Sequence, residues 1–580
     1  MQTLSFQRRF EELRGEVGLL SGGSVDLGSL SFVLAAAYGD RPAIAAPAWP
    51  PGLPDRPERS YRELDDDIAR LAAAHDALGN RRFVRVAIAV ANRIDVLLHV
   101  LALVRAGAIP VPVNPRLKPA EFREVILASR AEAIVIDGDL VAGLVPGAGT
   151  LERGEGGRVK LPMAGSEPPL GGRFIWSGAG EAPKGVRGDD LAAWLRAHPD
   201  ARLAPTRRLH PSDTALLLCT SGTTGHPKVA ALTSEGLLRG PGRMLAAPVG
   251  RDRGLRAGRD VVLCALPLAH VMGIGAFLGA LCAGTKVLHH ERFDAPTILR
   301  SIETERPNVF IGVPTMYADL EAEGAARRDL RSVQLWISAA DVMPPERARR
   351  FQRYGAAGVI LGKPRGTALF ADVYGMVELS GAAAVRVYPA SPLRDVDLPA
   401  FAVTLPGFEV RVVDEEGKPL SWGATGALQI RGPAVLHGYE GASDAEPRPE
   451  GWFPTGDLAK VWPAGFFAFV GRGRDRLKVS GFSVFPAEVE TILREHPDVA
   501  EVVLVGVPDD RTGDRPVALV IPKSEAFDAE AFVAWAAGKV AAYRRPRTAL
   551  VMKSLPRGNH GKVDRAAATR LAVERITGTT

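Results

Sequence analysis

The sequence predicts an α/β protein. A large N-terminal domain of layered α/β subdomains carries a small β-barrel-like unit, and a small α+β domain follows at the C-terminal end. Three observations carry that expectation. Helical and strand-like patterns alternate between residues 61 and 137, as they do where helices are layered on a sheet. With 580 residues the chain exceeds what one hydrophobic core can hold, so two or more domains follow. The run Gly471-Arg472-Gly473-Arg474-Asp475 lacks any apolar residue. Beyond it stand about a hundred residues of mixed helix and strand pattern, enough for a separate small domain.

Taken in order, residues 61–72 read as a helix with Leu64, Ile68 and Leu71 on one face, and 83–90 as a strand. Residues 96–106 then read as a helix and 109–113 as a strand. Between 138 and 208 glycine, proline and charge dominate without a clear period, which predicts surface connections and irregular strands. Residues 215–219 and 229–233 are short apolar strands around a glycine-rich loop, with Ser234-Glu235 as a helix cap. Strands follow at 260–268, at 309–315 counting the strand's exit through Pro314, and at 335–340, the last including Ala339, with helices at 275–284 and 294–306. Alternating segments at 409–413 and 427–431 predict a small antiparallel unit, and Gly451-Trp452-Phe453-Pro454-Thr455-Gly456-Asp457 a tight turn presenting a carboxylate. In the C-terminal part Pro486 opens a helix in its first turn. Residues 502–507 and 516–521 form a strand pair, then a helix at 529–542, a strand at 549–552 and a loop through Gly561-Lys562.

Composition narrows the function. The net charge of +6 is modest for this length, and the arginines are scattered without a basic run or interleaved aromatics, which speaks against nucleic acid. Cys219, Cys264 and Cys282 sit in apolar runs without metal-ligand spacing and read as reduced thiols of a cytoplasmic protein. The N-terminal residues carry no apolar stretch of the secretory kind. Residues 261–285 lack charge over a bilayer-spanning length, but Pro267 and four glycines break the pattern into a buried strand, a turn and a core helix rather than a transmembrane span.

The loop Thr220-Ser221-Gly222-Thr223-Thr224-Gly225-His226-Pro227-Lys228 concentrates four hydroxyls, two glycines and one lysine between two strands. Backbone N–H groups in such a turn make a concave anion site, and the hydroxyls and ammonium complete a polyphosphate cradle. It departs from the P-loop pattern, because Pro227-Lys228-Val229 stands at its end and no helix follows directly. Further on, Asp372-Val373-Tyr374-Gly375-Met376-Val377-Glu378 sets an aromatic face that can stack a base beside a carboxylate that can hold a divalent cation.

With Pro267-Leu268-Ala269-His270-Val271-Met272-Gly273, the 451–457 segment, residues 471–490 and Gly561-Lys562, these motifs stand in an order that closely resembles the adenylate-forming superfamily. That group holds acyl-CoA synthetases, luciferases and peptide-synthetase adenylation domains; the chain is most like a fatty acid–CoA ligase. The resemblance runs from Tyr61 to Arg565. It implies two half-reactions: a carboxylate attacks the α-phosphate of Mg-ATP, giving acyl-adenylate and pyrophosphate, and the thiol of coenzyme A then displaces AMP. It implies that residues 220–228 hold the β and γ phosphates, that Tyr374 flanks adenine with Ala339 and Gly375 in the same nucleotide-binding set, and that Asp372 accepts from the adenine amino group. Glu378 is implied to bind Mg²⁺, Asp457 with Arg472 the ribose hydroxyls, and Lys562 to bridge carboxylate and α-phosphate; Lys228, Glu378 and His270 join Lys562 as candidate catalytic residues. The implied division is an N-terminal domain over 1–471 and a mobile C-terminal domain over 472–580, with its hinge near Arg474 and with Lys478 and Gly481 facing the site in the second pose.

Three departures from the family pattern stand out. Val377 occupies a usual threonine position, residues 355–370 are longer than the usual connection, and Phe482 replaces a second glycine. No Asp or Glu lies between 261 and 290 to pair with a substrate ammonium, so an uncharged acyl or aryl acid is favoured over an amino acid. The small residues 273–284 either leave a narrow apolar tunnel or allow close packing, and they tip the choice to a medium- or long-chain fatty acid. His270 either guards the acyl entry or satisfies a local hydrogen bond. Two alternatives are an acyl-AMP ligase that loads an acyl carrier protein and a non-catalytic acyl- or nucleotide-binding relative.

Overall fold

The computed structural model describes residues 25–144, 152–153, 159–161, 170–180, 188–205, 210, 212–220, 228–238, 255–360, 363–393, 398, 400–436, 438–440, 449–479, 482–509, 512–558 and 563–577. The chain divides into two compact units. The first comprises 1–401, 405–407 and 432–448; the second comprises 402–404, 408–431 and 449–580.

Two largely parallel sheets organise the first unit. In one, Ile109–Pro112, Arg85–Ala89, Ala133–Ile136 and Leu170–Trp176 lie side by side in parallel. The residues of the first three are buried almost throughout, as expected for strands covered on both faces, and this is why they read as unbroken apolar runs. The alternation seen in the sequence is present. The helix Tyr61–Ala77 starts at a capping box in which Ser60 and Glu63 exchange side-chain and backbone hydrogen bonds, and Asp95–Ala106 is a fully buried helix. The weakly patterned region after 138 contains more order than its composition suggests. Leu170–Trp176 contributes a sheet strand with Phe174 and Ile175 buried, and Asp190 caps the helix Leu191–Ala197.

The second sheet carries, in order, Glu58–Ser60, Pro42–Ala45, Lys286–His289, Val261–Cys264, Val309–Gly312, Leu335–Ala339, Leu369–Met376 and Gly381–Tyr388. The strands from Pro42–Ala45 to Leu369–Met376 are parallel, and Gly381–Tyr388 folds back antiparallel on its neighbour. A cluster of Phe310, Tyr317, Trp336, Phe351 and Phe370 forms the core on one face. The uncharged stretch resolves as the sequence suggests: a strand, a turn, and the helix Val271–Cys282. Among the described residues no helix is long and apolar enough to cross a membrane. The extended connection before Asp372 forms a short antiparallel hairpin, Gly358–Ile360 with Lys363–Arg365.

In the second unit Glu409–Val413, Thr425–Arg431, Phe453–Val461 and Phe467–Arg472 form a four-stranded antiparallel sheet. A further sheet, built on the long pair Val499–Asp509 and Gly513–Pro522, has apolar clusters on both faces. Helices Pro486–Leu493 and Ala529–Ala537 supply one cluster, and Arg565–Thr577 the other. The Arg565 guanidinium reaches Asp475 at 3.2 Å and Glu490 at 2.7 Å, which ties the residue after Arg474 to the last helix.

Candidate active site

In the first unit the candidate residues gather where parallel strands end, the edge at which open α/β sheets bind ligands. Gly312, Ser338, Asp372 and Arg386 stand in register across four adjacent strands. The Asp372 carboxylate meets the Arg386 guanidinium at 2.6 Å, and the same guanidinium nitrogen donates to the carbonyl of Met343 at 2.7 Å. Burial pushes the Asp372 carboxyl up to about 6, and Arg386 pulls against that rise. Ala339, buried, ends the Leu335–Ala339 strand opposite Val373.

Tyr374 follows two residues along the same strand and is half-buried. At Gly375 the strand bulges, and a Cβ there would lie 1.9 Å from the carbonyl oxygen of Gly381; only glycine fits. The chain then makes a short 3₁₀ turn, Val377–Leu379, with Val377 buried and Glu378 half-buried. Two hydrogen bonds brace this turn: Leu436 N–H donates to the Glu378 carbonyl at 2.8 Å, and the Ser380 hydroxyl to the Ala434 carbonyl at 2.8 Å.

The glycine-rich loop does join two strands. Thr214–Thr220 and Lys228–Thr233 are antiparallel, and the pair Thr220↔Lys228 closes the loop. Ser221, Gly222, Thr223, Thr224 and Gly225 lie outside the described residues, as does the side chain of Thr220. Lys228 is exposed, and its ammonium stands 5.2 Å from the centre of the Tyr439 ring. The Tyr439 hydroxyl donates to Glu378 Oε1 at 3.0 Å. Lys228, Tyr439 and Glu378 are thus brought together, because Gly438–Tyr439 pairs with the Lys228–Thr233 strand.

His270 caps the helix Val271–Cys282, its Nδ1 accepting from Met272 N–H at 3.3 Å. The preceding segment is held from the other sheet: Asn92 accepts from Leu268 N–H at 2.7 Å and donates to the Glu291 carbonyl at 2.9 Å. A Cβ on Gly273 would lie 2.2 Å from the Pro267 carbonyl oxygen, so the missing side chain at this position serves close packing.

In the second unit Asp457 lies within the Phe453–Val461 strand rather than in the turn its glycine suggested; Gly456, at φ 74°, takes the left-handed conformation inside the strand. The Asp457 side chain is 0% exposed, and its Oδ1 lies 2.8 Å from Arg472, its register partner on the adjacent strand. Lys478 belongs to the Leu477–Val479 strand, with its side chain outside the described residues, as are Gly481 and Lys562. Arg557 and Val563, which flank Lys562 in the sequence, form an isolated bridge.

Arg386, Tyr439 and the Met343 carbonyl escaped the sequence reading. Arg386 had a signal: the pairs Phe370↔Tyr388, Asp372↔Arg386 and Tyr374↔Ala384 are symmetric about the turn at Leu379-Ser380. Among the described residues no group of three or more His, Cys, Asp or Glu could hold a metal by itself. A single carboxylate such as that of Glu378 has the donor chemistry for Mg²⁺, which is commonly held by one or two carboxylates together with substrate phosphates and water.

The family model for "AMP-binding enzyme" matches residues 33–440, and that for "AMP-binding enzyme C-terminal domain" matches 488–562. The chain belongs to the AMP-binding enzyme family, the adenylate-forming superfamily. Its curated relatives include a feruloyl-CoA synthase of Amycolatopsis, 31% identical over 514 residues that cover 87% of this chain and 92% of the relative. An indoleacetate–CoA ligase of Aromatoleum aromaticum is 31% identical over 518 residues, with 87% and 92% covered. A long-chain-fatty-acid–CoA ligase of Escherichia coli O157:H7 is 28% identical over 522 residues, with 87% and 88% covered. Among solved structures, ATP-bound MatB from Rhodopseudomonas palustris superposes with a TM-score of 0.73 at 25% identity, covering 95% of this chain and 99% of MatB.

Proposed function

We propose that this AMP-binding family member is an AMP-forming acid–CoA ligase acting on an uncharged, largely apolar carboxylic acid. The observation that carries the reading is the Lys228–Tyr439–Glu378 cluster at the exit of the glycine-rich hairpin, in which a cation over the ring and a carboxylate on the hydroxyl share one tyrosine where the two loop-bearing strands pair. The acid's carboxylate oxygen attacks the α-phosphorus of ATP and pyrophosphate leaves; the thiol sulfur then attacks the acyl carbon and AMP leaves.

Two anions meet in the first step, so preorganised cations and N–H donors lower its barrier. Residues 220–228 hold the β and γ phosphates, with Lys228 as their cation. Tyr374 packs against the base, with Asp372, Ala339 and Gly375 beside it; Asp457 and Arg472 hold the ribose. Glu378 would hold Mg²⁺, which when bound would supply positive charge against the phosphates. Lys562 neutralises the attacking carboxylate and the α-phosphate, and domain movement about Arg474 removes it before the thiol arrives.

For the acid, an aromatic or arylalkyl carboxylate is the first reading, supported by the feruloyl and indoleacetate relatives. A fatty acid is the second, supported by the Escherichia coli relative. The packing contact at Gly273 removes part of the argument for an acyl tunnel. The deciding experiment supplies ATP, Mg²⁺, CoA and a panel of aryl, arylalkyl and C8–C18 acids, and follows pyrophosphate release and acyl-CoA by mass. Pyrophosphate release without acyl-CoA points to a carrier-protein acceptor; no release with any acid overturns the reading.

A further inference from the structure

We propose that Arg386 is a positioning residue that sets the purine selectivity of this site, by fixing the Asp372 carboxylate as an ionised acceptor for a 6-amino group. The proposal rests on the reading above, in which Asp372 faces the base. Its support is geometric. Arg386 stands opposite Asp372 in the antiparallel pair, and one of its terminal nitrogens serves two acceptors on two different segments, the Asp372 carboxylate at 2.6 Å and the Met343 carbonyl at 2.7 Å. Met343 lies beyond the Leu335–Ala339 strand, on the segment leading to the helix Pro345–Tyr354. The Asp372 side chain is 11% exposed and that of Arg386 is 30% exposed, so the pair is shielded on its acidic side and open on its basic side.

The surroundings leave Arg386 as the cation that matters. Asp341 adds a like charge to Asp372, and burial adds to the same effect. Tyr317, from the helix Pro314–Ala322, donates its hydroxyl to Ile337 and is neutral; Tyr388 lies beneath the Arg386 guanidinium at 5.3 Å. Arg349, on the helix Pro345–Tyr354, stacks on the other reach of Tyr388 at 5.0 Å and donates to the Leu398 carbonyl. In the same cross-strand row the Ser338 hydroxyl is buried with no hydrogen-bond partner among the described residues, so it does not substitute for the guanidinium.

An ionised carboxylate accepts from the 6-amino group of adenine and repels the 6-keto oxygen of guanine; a protonated one loses that distinction. Burial holds the Asp372 carboxyl at about 6 even with Arg386 present. Arg386 pulls against that rise through both its charge and its hydrogen bond, so without it the carboxyl takes up its proton at a higher pH.

The test uses the full chain with its best acid and compares Arg386→Gln, Arg386→Lys and Asp372→Asn. Arg386→Gln should raise KM for ATP about tenfold or more with kcat nearly unchanged, the effect of losing one charge-assisted contact. It should lower the ATP:GTP ratio of kcat/KM, and move the acid limb of kcat/KM for ATP from near pH 6 to higher pH. Arg386→Lys should restore the limb in part, and Asp372→Asn should relax the ratio and abolish the limb. Arg386→Gln should add little in the Asp372→Asn background. An unchanged ATP:GTP ratio in Arg386→Gln, or a full Arg386→Gln effect in the Asp372→Asn background, overturns the proposal. If Arg386→Gln does not fold, the Arg386→Lys limb and the Asp372→Asn ratio decide it. Inactivity of the wild type with every acid would instead defeat the broader ligase reading.

Discussion

Replacing Arg472 by Leu separates what Asp457 does for the fold from what it does for the nucleotide. The Asp457 side chain is 0% exposed, while Arg472, 2.8 Å away, is 42% exposed. Breaking a fully buried pair by removing one partner costs about 3–5 kcal/mol; with one partner half in water we expect about 2–3 kcal/mol. Asp457→Asn removes the charge while keeping the shape, and should cost about 1 kcal/mol. The double variant should recover about 2 kcal/mol of the Arg472→Leu loss, because no unpaired charge is left buried. A chain of two units need not unfold in one transition, so hydrogen exchange of amides in the Phe453–Val461 strand is the direct readout. ATP affinity should behave differently: both single variants weaken it, and the double variant does not restore it. Additive costs in exchange, with no recovery in the double variant, would refute the idea that Arg472 compensates a buried carboxylate.

Lys562→Ala should abolish acyl-adenylate formation while leaving thiolysis of supplied acyl-adenylate largely intact; equal loss of both half-reactions would remove Lys562 from the first step. Tyr439→Phe keeps the ring beneath Lys228 but removes the hydroxyl that donates to Glu378, and should weaken ATP binding about tenfold in the presence of Mg²⁺ but much less in its absence, read by calorimetry with a non-hydrolysable analogue. Acid should destabilise the first unit through its buried histidines. Burial pushes His99 and His289 down to about 4, so the unfolded chain binds more protons between about pH 6.5 and 4 and stability falls as pH falls through that window. Each contributes up to about 3 kcal/mol, while Asp372, with its carboxyl raised to about 6, opposes them by favouring the folded state as it protonates. Replacing His289 by Asn should flatten the acid slope in urea titrations from pH 4 to 7, and an unchanged slope would show that other groups set it.

What was legible in the sequence was local. Short apolar runs such as Val86-Ala87-Ile88 and Ala133-Ile134-Val135 became buried parallel strands, since they are too short for a helix and are covered on both faces. The glycine-rich loop was correctly placed between strands, since the apolar segments on both sides are too short for helices. Errors arose where a cue had two structural uses. Gly456 suggested a turn but gives a left-handed residue inside a strand, and Pro314, read as a strand exit, is the first residue of a helix. Phe174-Ile175-Trp176 is too short an apolar run to stand out from the glycines around it, although it forms part of a sheet. Arg386 and Tyr439 were missed for another reason. Their roles depend on strand pairing, which brings residues 14 and 61 positions away to Asp372 and Glu378.

The same distinction decides how far the acid can be read. Small residues over 273–284 could report either a tunnel or tight packing, and the contact between Gly273 and the Pro267 carbonyl assigns at least one of them to packing. Gly312, at the end of the neighbouring strand, is also explained by a contact, because a Cβ there would lie 2.8 Å from the Phe310 ring. Glycines consumed this way carry no information about acyl length. The charge criterion survives, because it does not depend on packing: residues 261–290 offer no carboxylate, so an ammonium on the substrate would go unpaired there whatever the pocket's shape. Ferulate, indoleacetate and fatty acids share the absence of that ammonium and differ in almost everything else. Chain length and ring size are therefore quantities for the acid panel, and rejection of amino acids is the expectation that the same panel, extended by an amino acid, tests.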